Sequence, residues 1–124
     1  DQTDPPASIT YASVVTRESV RIGFLVAALN DLKVLSADVA GAYLNAPCAE
    51  RVHTYLGPEF GDDAGKLAII RKALYGLRSA GFAWRSYCAE IMRTSLEFTP
   101  CRADQDVWMR KAIKSNGEKY WEYV

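Results

Sequence analysis

The chain has 124 residues, of which 49% are hydrophobic and 24% charged, a balance that excludes a disordered tail and fits one globular domain or a compact part of a larger one. Basic and acidic side chains number 15 each, so the formal net charge is zero. No apolar run approaches the roughly 18 residues that a membrane helix needs, and no cleavable leader opens the sequence, so we expect no membrane partner.

The three cysteines, Cys48, Cys88 and Cys101, are too widely spaced to suggest a disulfide scaffold. We therefore expect reduced thiols and an intracellular protein, in the cytoplasm or the nucleus. A zinc site is not expected either, because neither the cysteines nor His53 show a Cys-x-x-Cys or His-x-x-x-His spacing.

The zero net charge conceals a basic block. Residues 66–93 hold 6 basic and 1 acidic side chain, a net charge of +5. Such a block fits a surface that faces phosphates, and it fits a solvated helix face equally well, so both interpretations stay open.

The first half of the chain predicts one helix and a set of short strands. Residues 1–15 read as an extended lead-in, and a helix follows with Thr16 or Ser19 as its cap. Its apolar residues spread around nearly the whole circumference, which predicts burial on most sides. Residues 34–37 predict a central strand that ends at Asp38, residues 39–46 a tight turn, and residues 51–56 and 67–70 two further strands.

The second half predicts another helix and a hairpin. The helix begins at Arg78 or Ala80 and ends near Ser95, and it has one packing face and an opposite basic face, formed by Arg78, Arg85 and Arg93. Residues 105–112 and 119–124 read as strands joined through Asn116-Gly117, a strong hairpin signal. The predicted fold class is α+β, with an antiparallel sheet packed against two helices.

Asp38 is the most informative residue for function. A carboxylate that closes an apolar strand is costly to desolvate unless it meets a cation or strong donors. It could cap the turn at residues 39–42, since aspartate favours such positions, or it could be a metal ligand.

Two motifs resemble those of copia-type retrotransposon reverse transcriptases. Residues 38–45, Asp-Val-Ala-Gly-Ala-Tyr-Leu-Asn, are similar to that family's first catalytic motif, and residues 73–84, Ala-Leu-Tyr-Gly-Leu-Arg-Ser-Ala-Gly-Phe-Ala-Trp, to its Leu-Tyr-Gly-Leu block. Their order and interval also agree. Further similarity covers residues 11–21 and 104–109, so that the resemblance extends over nearly the whole chain.

The resemblance implies a partial right-hand polymerase, the palm with part of the fingers, in which aspartates hold two Mg²⁺ ions. Asp38 would be the catalytic, metal-binding carboxylate, and the backbone carbonyl of Val39 a further ligand. The implied partners are an RNA or DNA template-primer, a deoxynucleoside triphosphate and the remainder of the polymerase domain.

Other positions would face the nucleic acid or the incoming nucleotide. Tyr43 matches an aromatic that lies under the incoming sugar, although a core tyrosine is the alternative. By the same resemblance Tyr75, Gly76 and Arg78 lie along the template and the incoming base. On the helix that follows, Arg85 and Arg93 are candidate phosphate contacts, or simply part of a solvated face.

The sequence departs from the family pattern at Ser79, Gly81 and Phe82, where the family has glutamine, proline and arginine. The substitution at Ser79 removes an amide that would face the template or the nucleotide.

No Tyr-x-Asp-Asp motif, the source of the other metal-binding carboxylates, occurs in the 124 residues. We therefore expect residues 1–124 to be a polymerase segment truncated at both ends, which binds Mg²⁺ weakly and is inactive alone. The alternative is a non-catalytic relic or co-opted fragment that binds nucleic acid or protein.

Overall fold

The structure, a computed structural model, describes residues 8 and 10–124. Its helices are α1 (Arg17–Leu29), the single-turn α2 (Ala42–Asn45) and α3 (Ala80–Thr94), with a 3₁₀ segment at Pro58–Asp63. Its strands are β1 (His53–Tyr55), β2 (Leu67–Ile69), β3 (Thr99–Pro100), β4 (Trp108–Ile113) and β5 (Lys119–Tyr123). The α+β class is confirmed, with two antiparallel sheets in place of the single one expected. The expected lead-in lies partly outside the described residues, since residues 1–7 and 9 are not among them.

The chain divides into two compact units. The first unit consists of the described part of Asp1–Ala12 together with Val39–Cys88, and the second of Ser13–Asp38 together with Ala89–Val124. Within the part of the chain that the structure describes, no helix has both the length and the apolar composition needed to cross a bilayer.

The first unit combines a two-stranded sheet with a small core of alanines. Strands β1 and β2 pair antiparallel, with His53 opposite Ile69 and Tyr55 opposite Leu67. The predicted strands at 51–56 and 67–70 are confirmed in place but are shorter. The core consists of four alanines, on which larger side chains pack: Ala46, Ala73, Ala80 and Ala83, with Tyr43, Leu77, Trp84 and Tyr87 against them.

The second unit holds α1 and the sheet β3-β4-β5. Thr16 is the N-cap of α1, and its side-chain oxygen accepts a hydrogen bond from the Ser19 backbone N–H at 3.1 Å. The expectation that α1 is buried on most sides is wrong, because none of its residues is buried. The apolar pattern shows which residues could be covered, but not whether a partner surface of sufficient area is present.

The strand predicted at residues 34–37 is absent, and Leu35 is 91% exposed. A strand requires a neighbour for its backbone hydrogen bonds, and no strand of the described residues pairs with this segment. The short strand β3 was not predicted. Its two residues lie opposite Met109 and Trp108 of β4.

The hairpin of β4 and β5 is confirmed. The Gly117 N–H donates to the Lys114 carbonyl at 2.9 Å, and Gly117 has a φ of 87°, as in a three-residue loop with a glycine bulge. Across the strands Arg110 lies opposite Glu122 and donates to its carboxylate at 2.6 and 2.9 Å. The Arg110 hydrogen bonds, with a further one from Tyr120, hold the pKa of Glu122 below its ordinary value.

Asp104 joins the loop before β4 to the start of α1. Its carboxylate accepts hydrogen bonds from the Ser19 hydroxyl at 2.6 Å, the Thr16 backbone N–H at 3.1 Å and the Asp106 backbone N–H at 3.0 Å. These bonds, that of Ser19 foremost, lower the pKa of Asp104 from 3.8 to about 2. The position beside a helix N-terminus also favours the negative charge.

The lowered pKa of Asp104 makes stability depend on pH. A carboxyl whose pKa falls on folding contributes stability above its unfolded value, and the contribution is lost as the pH drops from 3.8 towards 2. We expect Asp104→Asn to flatten the pH dependence of the free energy of unfolding in this window, measured by urea denaturation. Asp62→Asn, at an exposed position, is the control and should leave the pH dependence unchanged. An identical loss of stability on acidification in wild type and Asp104→Asn would contradict this assignment.

Candidate active site

Asp38 is exposed. It is the last residue of Ser13–Asp38, the part of the second unit that contains α1. It does not cap α2, because the N-cap of that helix is Gly41, with a φ of 57° and no side-chain cap hydrogen bond. None of residues 8 and 10–124 forms a hydrogen bond or ion pair with the Asp38 carboxylate. The interpretation of Asp38 as the cap of this turn is therefore wrong, and so is the expectation that it closes a strand.

An exposed carboxylate without a described partner has the oxygen donors that Mg²⁺ prefers. Val39, which follows in the chain and is also exposed, could add its backbone carbonyl. The set is only partial, because no three His, Cys, Asp or Glu side chains come together among the described residues. The described residues therefore contain no complete magnesium site.

Tyr43 and Tyr75 are brought together in the first unit, with ring centroids 4.6 Å apart and ring planes inclined by 39°. Tyr43 lies in α2 and is half-buried, because one side of its ring packs against the alanine core. Tyr75 is 71% exposed. Two positions that the motifs assign to nucleotide or template binding thus form one aromatic pair, with Tyr75 on its solvent side.

The loop that carries Tyr75 turns sharply before α3. The Leu77 N–H donates to the Leu74 carbonyl at 3.2 Å, and the Ala80 N–H to the Leu77 carbonyl at 3.1 Å. Gly76 has a φ of 96°, and a Cβ added there would meet no atom within 4 Å. The backbone conformation therefore explains the glycine at this position, since L side chains rarely adopt such a φ.

Glycine replacements at two positions with equally open space should have opposite effects on stability. We expect Gly76→Ala to lower the free energy of unfolding by about 1 kcal/mol because of its positive φ. Gly23→Ala, in the middle of α1 with nothing within 4 Å, should raise it by about 0.5–1 kcal/mol. Urea denaturation of both variants provides the comparison. If both replacements changed the free energy of unfolding by the same amount and in the same direction, the positive φ of Gly76 would not explain its glycine.

Ser79 was noticed in the sequence only as a departure from the family pattern, yet it is fully buried, with 1% of its surface exposed. Its hydroxyl donates a short hydrogen bond to the Glu50 carboxylate and so fixes the loop around Glu50 to the start of α3. Serine is common directly before a helix, but nothing in the sequence pointed to Glu50 as its partner. At Gly81 an added Cβ would lie 3.4 Å from the Ala12 Cβ, an ordinary contact.

The three arginines of the predicted basic face differ in environment. Arg78 and Arg93 are exposed, whereas Arg85 is half-buried. The Arg93 guanidinium lies 5.1 Å from the centre of the Trp108 ring, a cation–π contact within the second unit. Arg93 therefore has a packing role that the helix pattern did not predict.

Comparison with known proteins identifies the family to which the chain belongs. Neither the curated proteins nor the solved structures contain a match to the chain. The family model described as reverse transcriptase (RNA-dependent DNA polymerase) matches residues 7–117, a range that contains Asp38, the Tyr43–Tyr75 pair and α3. Because this match spans most of the 124 residues, the chain belongs to the reverse transcriptase family.

Proposed function

We propose that the chain is the segment of a copia-type retrotransposon reverse transcriptase that supplies the first catalytic aspartate. The observation that carries the proposal is the family match over residues 7–117, which includes both motifs. The copia-type assignment rests on the residues of those motifs, at positions 38–45 and 73–84. The segment would be part of the palm with part of the fingers.

In this proposal Asp38 is a metal ligand. Its carboxylate and the Val39 carbonyl would hold Mg²⁺, and the exposure of both residues leaves them accessible to the ion. Bound Mg²⁺ would lower the pKa of the primer 3′-hydroxyl and neutralise charge on the triphosphate during nucleotidyl transfer. The partners are an RNA or DNA template-primer, a deoxynucleoside triphosphate and the remainder of the polymerase domain.

The first unit would bind the nucleotide and the template. Tyr43, held against the alanine core, would lie under the incoming sugar, and the exposed Tyr75 ring beside it would extend this aromatic surface. The turn at Gly76 and the Arg78 side chain would lie along the template. We assign Arg85 of the first unit to phosphate contacts, and separately Arg93 of the second unit.

Asp38 alone cannot complete the chemistry. Two Mg²⁺ ions rely on several converging oxygen ligands, and no Tyr-x-Asp-Asp motif occurs among these 124 residues. We therefore expect the 124-residue chain by itself to bind Mg²⁺ weakly and to extend no primer.

Primer extension tests the proposal. A complete copia-type polymerase domain that contains these residues should extend a DNA primer on an RNA template in the presence of Mg²⁺, and the 124-residue chain should not. Extension by the 124-residue chain would refute the need for further carboxylates. A complete domain that binds template-primer but extends nothing at any Mg²⁺ concentration would contradict the proposal and favour a non-catalytic relic.

A further inference from the structure

Strand β5 lies at one edge of the sheet β3-β4-β5. At the end of the hairpin, Trp108 and Val124 exchange both of their backbone hydrogen bonds, at 2.8 and 2.9 Å. Hydrogen-bonded and non-hydrogen-bonded pairs alternate along an antiparallel ladder. The backbone groups of Glu122 and Tyr120, two and four residues before Val124, therefore also point towards β4.

The other three residues of β5 direct their backbone groups away from β4, namely Lys119, Trp121 and Tyr123. Each offers one N–H donor and one carbonyl acceptor, and no strand of residues 8 and 10–124 lies on that side. A proline or a bulge often protects such an edge, but β5 has neither. The edge is therefore able to accept a further strand.

Helix α1 leaves this edge open. A groove of about 160 Å³ lies between the end of the helix and the hairpin, lined on one side by Val26, Asn30 and Leu32 and on the other by residues of the hairpin. All of these residues belong to the second unit. Trp121 remains 40% exposed and Tyr123 46% exposed. The edge is thus accessible to solvent and to a partner strand.

The outward backbone groups of β5 complement those of a second β5. When two copies run antiparallel about a two-fold axis at Trp121, Lys119 of each copy lies opposite Tyr123 of the other. Every outward N–H and carbonyl group of both strands then has a partner. Such an interface uses the same surface on both copies and closes on itself, so that it forms a dimer and no longer chain.

The side chains on one face of this pairing also match. The Lys119 ammonium of each copy lies beside the Tyr123 ring of the other, where a cation and an aromatic ring attract each other. The two Trp121 rings meet at the axis, and aromatic pairs across strands are stabilising. No two like charges lie opposite each other on this face.

The opposite face selects the register. With the axis at Trp121, Glu122 lies opposite Tyr120 of the other copy, and a Tyr120 hydroxyl already donates to Glu122 within one copy at 3.0 Å. A shift of two residues in one direction places Glu122 opposite Glu122, and in the other direction opposite Glu118. Like charges directly opposite each other are destabilising, so the register centred on Trp121 is favoured.

We propose that the free edge of β5 pairs with β5 of a second copy of this chain, antiparallel about Trp121. The three strands of each copy then form one continuous sheet. An unrelated extended peptide would satisfy the backbone groups, but a second copy also supplies the matching lysine, tryptophan and tyrosine. The proposal depends on neither Asp38 nor polymerase activity.

Amide hydrogen exchange, followed by NMR over a range of protein concentrations, tests the edge without any substitution. The amides of Lys119, Trp121 and Tyr123 should exchange slowly at high protein concentration and rapidly after dilution. Those of Tyr120 and Glu122 point towards β4 and should stay protected throughout, which makes them the internal control. Rapid exchange of the three outward amides at every concentration, or protection that dilution does not change, would overturn the proposal.

Sedimentation equilibrium of Trp121→Glu tests the position of the axis. Glutamate at this position lies opposite Lys111 in its own hairpin, which preserves the hairpin, whereas in the dimer two carboxylates meet at the axis. We expect the dimer dissociation constant to rise roughly tenfold. The amides of Tyr120 and Glu122 should remain protected in this variant, because the pairing of β4 with β5 is retained.

Tyr55→Glu is the matched control for Trp121→Glu. It makes the same change in charge at an aromatic residue of β1 that is 74% exposed, and it should dimerise as the wild type does. An unchanged dissociation constant in Trp121→Glu would overturn the proposal. An equal rise in both variants would also overturn it, since the effect would then come from net charge and not from the β5 edge.

Discussion

Asp38→Asn is expected to lower primer extension by a complete domain that contains these residues by roughly 10³-fold, because metal-ion stabilisation of the transition state contributes several kcal/mol. Asparagine has nearly the same size but lacks the charge that a hard divalent cation requires from its ligand. Since Asp38 is exposed and has no partner among residues 8 and 10–124, its substitution should leave the stability of the fold unchanged. Steady-state extension and thermal unfolding of the same preparations measure both effects.

Asp31→Asn is the matched control for Asp38→Asn. Asp31 is also exposed, and its φ of 50° is one that asparagine tolerates. We expect this variant to retain wild-type extension. A similar decrease of activity in both variants would indicate that the segment as a whole, and not the Asp38 carboxylate, limits the reaction.

Phe98→Ala should have the largest effect on stability in the second unit. Phe98 is 6% exposed, and the Arg110 guanidinium lies 4.5 Å from the centre of its ring while Arg110 also donates to the Leu96 carbonyl. Removing the ring would leave a cavity and an unstacked arginine, at a cost of about 3 kcal/mol in the free energy of unfolding. Urea denaturation measures the difference.

Phe60→Ala is the comparison for Phe98→Ala, since Phe60 is 54% exposed and its replacement should cost no more than about 0.5 kcal/mol. Equal costs in the two variants would mean that Phe98 does not anchor the second unit. A cost for Phe98→Ala well below about 1 kcal/mol would lead to the same conclusion.

The features that the sequence predicted correctly depend on residues close together in the chain. The Thr16 cap, the start of α3 at Ala80 and the hairpin around Asn116-Gly117 are each encoded within a few residues. The predictions that failed depend on distant partners. Residues 34–37 have the composition of a strand, but no described strand pairs with them, and α1 has apolar sides that remain exposed.

The candidate site shows the same division. The motif identified Asp38, Tyr43 and Tyr75, but spacing alone could not show that the two tyrosine rings meet at 4.6 Å. The hydrogen bond of Ser79 to Glu50 joins residues far apart in sequence, and its acceptor was therefore not predictable. Asp104 was noticed only as the first residue of the similarity at residues 104–109, and its hydrogen bonds to the start of α1 were not predicted.

In the proposed function, Asp38 and Val39 contribute ligands to a divalent metal ion. Mn²⁺ accepts the same oxygen ligands as Mg²⁺ and broadens the NMR signals of nearby nuclei, so it reports binding without requiring activity. In the complete domain, Mn²⁺ should broaden the backbone amide signals of Val39 and Ala40 in the wild type, and Asp38→Asn should largely abolish that broadening. Broadening that is absent in the wild type, or unchanged by Asp38→Asn, would contradict the assignment of Asp38 as a metal ligand.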